Sequence, residues 1–107
     1  MLEKRKLKRR HLIYYLRVFD GSTNILVGHM VDITQEGIRV ISEHPFDIDK
    51  ISTLKMVLPS EILGRKKLQF EALCVRCQKD INPDFYDIAF QLLKVSRNHL
   101  LIIEQLV

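Results

Sequence analysis

HLIYYLRVFDGSTNILVGHMVDI, residues 11–33, is the stretch on which the fold turns. Leu12, Tyr14, Leu16 and Val18 alternate with Ile13, Tyr15, Arg17 and Phe19. A period of two, rich in β-branched and aromatic residues, predicts a strand. DGSTN at 20–24 is dense in turn formers and reverses the chain. ILVGHMVDI at 25–33 predicts a second strand, with Gly28 marking a bulge or a close backbone approach.

The same alternation continues outward from this hairpin. TQEG at 34–37 is a turn, IRVIS at 38–42 a strand, and the segment around Pro45 a loop. ISTLKMVLP at 51–59 alternates as a strand that stops at Pro59, and SEILGRK at 60–66 reads as a connection. KLQFEALCVRCQK at 67–79 is a long strand with Leu68, Phe70, Ala72 and Cys74 on one face. DINPD at 80–84 is a turn. FYDIAFQLL at 85–93 then places Tyr86, Ile88, Phe90 and Leu92 together. In the last segment the period changes. Ser96 is a candidate N-cap, and Leu100, Ile103 and Leu106 or Val107 recur at helical spacing. Six strands followed by one helix predict a mainly β domain, a small antiparallel barrel carrying a C-terminal α-helix.

Composition agrees with one domain. The chain has 107 residues, 47% hydrophobic and 28% charged, ordinary for a globular protein and against general disorder. No apolar run approaches the roughly 18 residues that a membrane span requires, and the N-terminus lacks the apolar core of a signal peptide. A soluble, cytoplasmic protein is the expectation. Two cysteines are too few for a disulfide scaffold.

Charge is unevenly placed. Residues 1–10 hold Lys4, Arg5, Lys6, Lys8, Arg9 and Arg10 against Glu3, a local +5, which leaves −1 on the other 97 residues of a chain whose net charge is +4. Such a run is either a solvated tail or an arm for nucleic acid, an anionic membrane surface or a small phosphate ligand.

Catalytic and metal chemistry find little support. Cys74 and Cys77 have C-x-x-C spacing, but in a strand residues three apart point to opposite faces. Redox pairs favour helix N-termini, and a zinc site needs two further ligands. His11, His29, His44 and His99 are scattered. No G-x-S-x-G, P-loop or G-x-G-x-x-G occurs, so neither an enzyme, nor a metal, nor a cofactor is expected.

Two short pieces stand out. Arg5-Lys6-Leu7-Lys8-Arg9 places two arginines four apart, with Arg10 next. Asp32-Ile33-Thr34-Gln35-Glu36-Gly37 leaves a strand and enters a turn, with Asp32 and Thr34 on one face of an extended chain. Singly, each has an ordinary account: Asp and Thr bond turn backbone, and Gly37 supplies a positive φ. In order and at this separation, they resemble the PilZ domain family, whose pattern is R-x-x-x-R before the first barrel strand and then [D/N]-x-S-x-x-G. The resemblance covers nearly the whole chain.

The resemblance implies a six-stranded PilZ-like barrel of the split-barrel type and a receptor for cyclic di-GMP. Residues 1–10 would be a flexible basic arm that clamps the ligand, and residues 11–107 the barrel with its helix. Arg5 and Arg9, with Arg10 able to substitute for Arg9 or to contact the second nucleotide, would grip phosphate and guanine, for which the planar guanidinium fork is suited. Asp32 and Thr34 would hydrogen-bond a guanine, and Gly37 would let the turn pass close by. Thr34 stands where the family has serine, which keeps the hydroxyl and adds a methyl group. A protein partner in motility, pilus or exopolysaccharide machinery would read the ordered arm. The alternatives are a nucleic-acid-binding barrel and a PilZ-like adaptor that binds protein only.

Overall fold

The computed structural model describes residues 16–62 and 64–106. The arm at 1–10, with Arg5, Arg9 and Arg10, and the start of the first expected strand lie outside the described residues. The elements are β1 Arg17–Asp20, β2 Leu26–Ile33, β3 Gly37–Ser42, β4 Ile51–Ile62, β5 Arg65–Lys79, β6 Tyr86–Leu93 and α1 Arg97–Leu106. Every strand pairing is antiparallel, and the order β1-β2-β3-β6-β5-β4 closes into a barrel where β1 meets β4. Closure removes the open sheet edges that would otherwise recruit other chains.

Period-two patterning fills the interior. Val18, Met30, Val40, Leu54, Met56, Ala72, Cys74 and Ile88 are completely buried, and Ile38, Leu68, Phe70, Phe90 and Leu92 nearly so. Ile102, Ile103 and Leu106 of α1 join the same cluster, and Leu100 is half-buried. Ser96 caps this helix, its Oγ accepting from the His99 N–H at 3.2 Å.

The first turn forms as expected. Asp20 Oδ1 accepts from the Ser22 N–H at 2.7 Å and the Thr23 N–H at 3.2 Å, while Asn24 takes φ 64°. Asn tolerates the left-handed region better than most side chains. Gly28 serves both roles expected of it. Register shifts where Val18 faces Gly28 and Phe19 faces Leu26, and a Cβ on Gly28 would sit 2.2 Å from the Ile41 carbonyl oxygen.

Two expectations need correction. β4 does not stop at Pro59 but continues to Ile62, and β5 begins at Arg65, leaving a tight connection around Gly64, φ 76°. The β4–β5 register breaks between Val57 and Ile62, so Pro59 falls where its missing N–H interrupts no regular ladder. The cysteines also do not face opposite ways. A bulge at Val75 puts Cys74 opposite Phe90 and Cys77 opposite Ile88, so both turn toward the core. Cys77 Sγ accepts from the Phe46 N–H at 3.5 Å, and burial raises the Cys74 thiol above its ordinary value. These are packing groups.

His99 should make stability depend on pH. Its Nδ1 is sealed from solvent without a hydrogen-bond partner. Desolvation, and secondarily the charge of Arg65, lower its pKa. Below the ordinary histidine value of about 6.5, the unfolded chain takes up a proton that the folded chain resists. Stability associated with this residue is therefore present above that value and falls as pH drops through it. Thermal melts at pH 7.5 and pH 5.5 should show a larger loss for the wild type than for His99→Gln. Equal losses would contradict this account.

Candidate ligand site

The outer face of β3 and β6 carries a cleft of about 310 Å³, lined by Asp32, Thr34, Gly37, Arg39, Val75, Ala89 and Gln91 among others. Its floor is low because the smallest residues fall there. Gly37 pairs with Gln91, and Ala89 lies opposite Arg39 on one side and Arg76 on the other. Gly37 has no positive φ; Gly64 alone does among the described glycines. What Gly37 provides is proximity, since a Cβ there would sit 2.4 Å from the Phe90 carbonyl oxygen.

The rim is the turn between β2 and β3. Thr34 N–H donates to the Gly37 carbonyl at 2.8 Å, and Thr34 Oγ1 accepts from the N–H groups of Glu36 and Gly37, both at 3.2 Å. The Leu92 N–H holds the same turn to β6 by donating to the Glu36 carbonyl at 2.9 Å. Thr34 thus builds the turn, the ordinary role of a hydroxyl at this position.

A chain of charges starts at the cleft wall and runs on beside it. The register shift between Met30 and Asp32 sets Asp32 opposite Arg39, while Ile33 and Ile38 turn inward. Arg39 grips Asp87 with two bonds, Nε to Oδ1 at 3.2 Å and Nη2 to Oδ2 at 2.9 Å. Its Nη1 lies 4.0 Å from Asp32 Oδ2, and Arg76 Nη2 lies 3.9 Å from Asp87 Oδ1. The hydrogen bond to Asp87 raises the Arg39 pKa, so this guanidinium stays cationic. Among the described residues the cleft lining carries two carboxylates, Asp32 and Glu36, against one guanidinium, Arg39, while Asp87 and Arg76 extend the charge chain beside it.

Of the residues expected from sequence, Asp32, Thr34 and Gly37 come together in this one cleft. Arg5, Arg9 and Arg10 lie outside the described residues. Arg39, Asp87, Arg76 and Val75 were not foreseen. Arg39 had a visible signal, a lone charge two residues beyond Gly37 on a strand whose other members are mostly apolar. Asp87, 48 residues away, had none. Among the described residues no group of three or more His, Cys, Asp or Glu could hold a metal ion, and no helix is long and apolar enough to cross a membrane.

Known proteins resemble this barrel. A structure of the Bacillus subtilis inhibitor of motility, MotI/DgrA, superposes with a TM-score of 0.72 at 18% identity, covering 97% of this chain and 49% of the other. The chain therefore spans about half the length of that structure and shares its fold. No curated protein matches by sequence. Residues 3–107 match the family model for the PilZ domain, almost the full length, and the chain belongs to the PilZ domain family.

Proposed function

We propose that this chain is a cyclic di-GMP receptor whose ligand lies between the cleft and the basic segment 1–10. PilZ domains are receptor and adaptor domains rather than enzymes, and cyclic di-GMP is the ligand of the family. The observation that carries the reading is the charge balance of the cleft. By the family pattern Asp32 would hydrogen-bond a guanine, beside a floor kept low by Gly37 and Ala89. Yet among the described residues the cleft has more carboxylates than guanidiniums, which suits it poorly to two phosphates alone. The cations are concentrated elsewhere, in Arg5, Arg9, Arg10 and their lysine neighbours. A composite site joins the two halves, with residues 1–10 as the clamp and 11–107 as the barrel.

Ordering of the clamp over the nucleotide would change the surface that a partner protein reads, at a cost in conformational entropy that makes binding switch-like. The motility apparatus is the first partner to test, since the structural relative is called an inhibitor of motility. Pilus and exopolysaccharide machinery come next. The protein would act in the cytoplasm, without catalysis, metal or cofactor. A nonspecific single-strand platform is disfavoured, because no described aromatic side chain is fully exposed for stacking.

Calorimetric titration with cyclic di-GMP tests the reading. The wild type should bind. Arg9→Ala and Asp32→Ala should each weaken binding about tenfold or more, as loss of a charge-assisted contact requires. Arg39 keeps Asp87 in the second variant, so the barrel should survive. No heat from the wild type at tens of micromolar protein would overturn the proposal. Tight, salt-sensitive binding of oligonucleotides in its place would indicate a nucleic-acid barrel.

A further inference from the structure

We propose that the end of the barrel remote from the start of β1 is a docking surface for a protein partner that presents cationic side chains around apolar ones. The surface stands apart from the cleft, and the inference holds whether or not the chain binds cyclic di-GMP. Strands alternate in direction around the closed ring, so segments 20–25, 43–50 and 80–85 gather at one end. The start of β1, the turn at 34–36 and the turn at Gly64 lie at the other. β3 and β4 are not neighbours, and the loop between them therefore crosses the barrel mouth.

Exposed apolar side chains concentrate at this mouth. Among the described residues eight large hydrophobic side chains are exposed, and five of them stand here: Ile25, Leu26, Ile48, Ile51 and Ile81. Single exposed isoleucines are ordinary, whereas a gathering of them marks an interaction site. Ile81 is 100% exposed on its hairpin, and Ile48 is 54% exposed between Asp47 and Asp49. The loops that carry them are tied down. The Asp49 N–H donates to the Cys74 carbonyl at 2.7 Å, and the Cys74 N–H to the Lys50 carbonyl at 3.0 Å. The Asp80 N–H donates to the Phe85 carbonyl at 3.0 Å and closes the hairpin under Ile81. Serine at 48 and 81 would leave each of these bonds intact, so the fold does not call for isoleucine there.

Charge selects the occupant. The three segments hold six carboxylates against one lysine, Lys50, which stands over the Phe46 ring at 5.9 Å. Glu43, Asp47, Asp49 and Asp84 are exposed, and among the described residues none of the four is in an ion pair. Nucleic acid and anionic membranes are repelled by such an end. A second copy that paired this end with itself would set like charges face to face. A partner with lysine or arginine around apolar residues meets both demands. Its cations face the carboxylates, and its apolar side chains cover the isoleucines.

Chemical-shift mapping by NMR on the full chain tests the inference with an amphipathic lysine–leucine peptide. Shifts should cluster at residues 43–51 and 80–85. A lysine–serine peptide of equal charge should bind about tenfold more weakly, because it cannot cover the isoleucines. Ile48→Ser/Ile81→Ser should weaken the lysine–leucine peptide by about tenfold or more. Asp47→Asn/Asp49→Asn should weaken it at low salt, and asparagine tolerates the φ of 72° at position 49. Thermal melts check folding, and the isoleucine variant decides the matter if the asparagine variant does not fold. Equal binding of the two peptides, shifts centred on other carboxylates, or folded variants that bind like the wild type would overturn the inference. So would self-association of the wild type in sedimentation that Ile48→Ser/Ile81→Ser abolishes, which would assign the surface to a second copy.

Discussion

Phe90→Ala should lower the stability of the domain by about 3–5 kcal/mol, the usual cost of removing a buried phenyl ring. A domain of this size has roughly 5–15 kcal/mol in total, so the variant should lose a large share of its stability and melt at a clearly lower temperature. Phe90 is 2% exposed and sits where β6 meets both neighbours, opposite Ile38 of β3 and Cys74 of β5. Phe46 packs edge-on against it, ring centroids 5.2 Å apart at 85°, and so anchors the loop between β3 and β4. Removing the ring leaves a cavity that closed strand pairings on both sides prevent from collapsing, and it frees Phe46. Urea denaturation followed by circular dichroism measures the loss. Phe90→Leu should lose clearly less, because it refills much of the volume. A change below about 1 kcal/mol for Phe90→Ala would place this ring outside the stabilising core.

The elements of this barrel were legible because each strand carries its own alternation. Leu68, Phe70, Ala72 and Cys74 announce a buried face without knowledge of any partner, and they are all buried. What alternation cannot announce is the insertion of one residue into a ladder. The bulge at Val75 reverses the facing of everything after it, and Cys77 moved from the expected outer face to the core side for that reason alone. Pro59 misled in a related way. Its missing N–H matters only if a ladder bond is due there, and the register break means none is. The site divides along the same line. Asp32, Thr34 and Gly37 lie within six residues and announce a turn. Arg39 acquires meaning only through Asp87, which β6 brings alongside β3 after the chain has passed through β4 and β5.

Gly37→Ala should be nearly as damaging to the site as Phe90→Ala is to the core. An added Cβ would lie 2.4 Å from the Phe90 carbonyl oxygen, a backbone atom that cannot swing aside. β3 must therefore move away from β6 at the Gly37–Gln91 pair. The expected cost is about 3 kcal/mol, the upper part of the range for overpacking. That pair forms the cleft floor, and the turn that carries Thr34 is bonded to the Gly37 carbonyl and, through Glu36, to Leu92. Nucleotide affinity should consequently fall by about tenfold or more even at temperatures where the variant remains folded. The substitution also separates two reasons for a glycine. If Gly37 were required for a left-handed backbone, asparagine, which tolerates that region, would partly rescue it. The backbone at Gly37 is not left-handed, and asparagine carries the same Cβ as alanine. Gly37→Asn should therefore be at least as destabilised as Gly37→Ala in thermal melts. A clear rescue by asparagine would mean that backbone conformation, rather than the approach of β3 to β6, is what reserves this position for glycine.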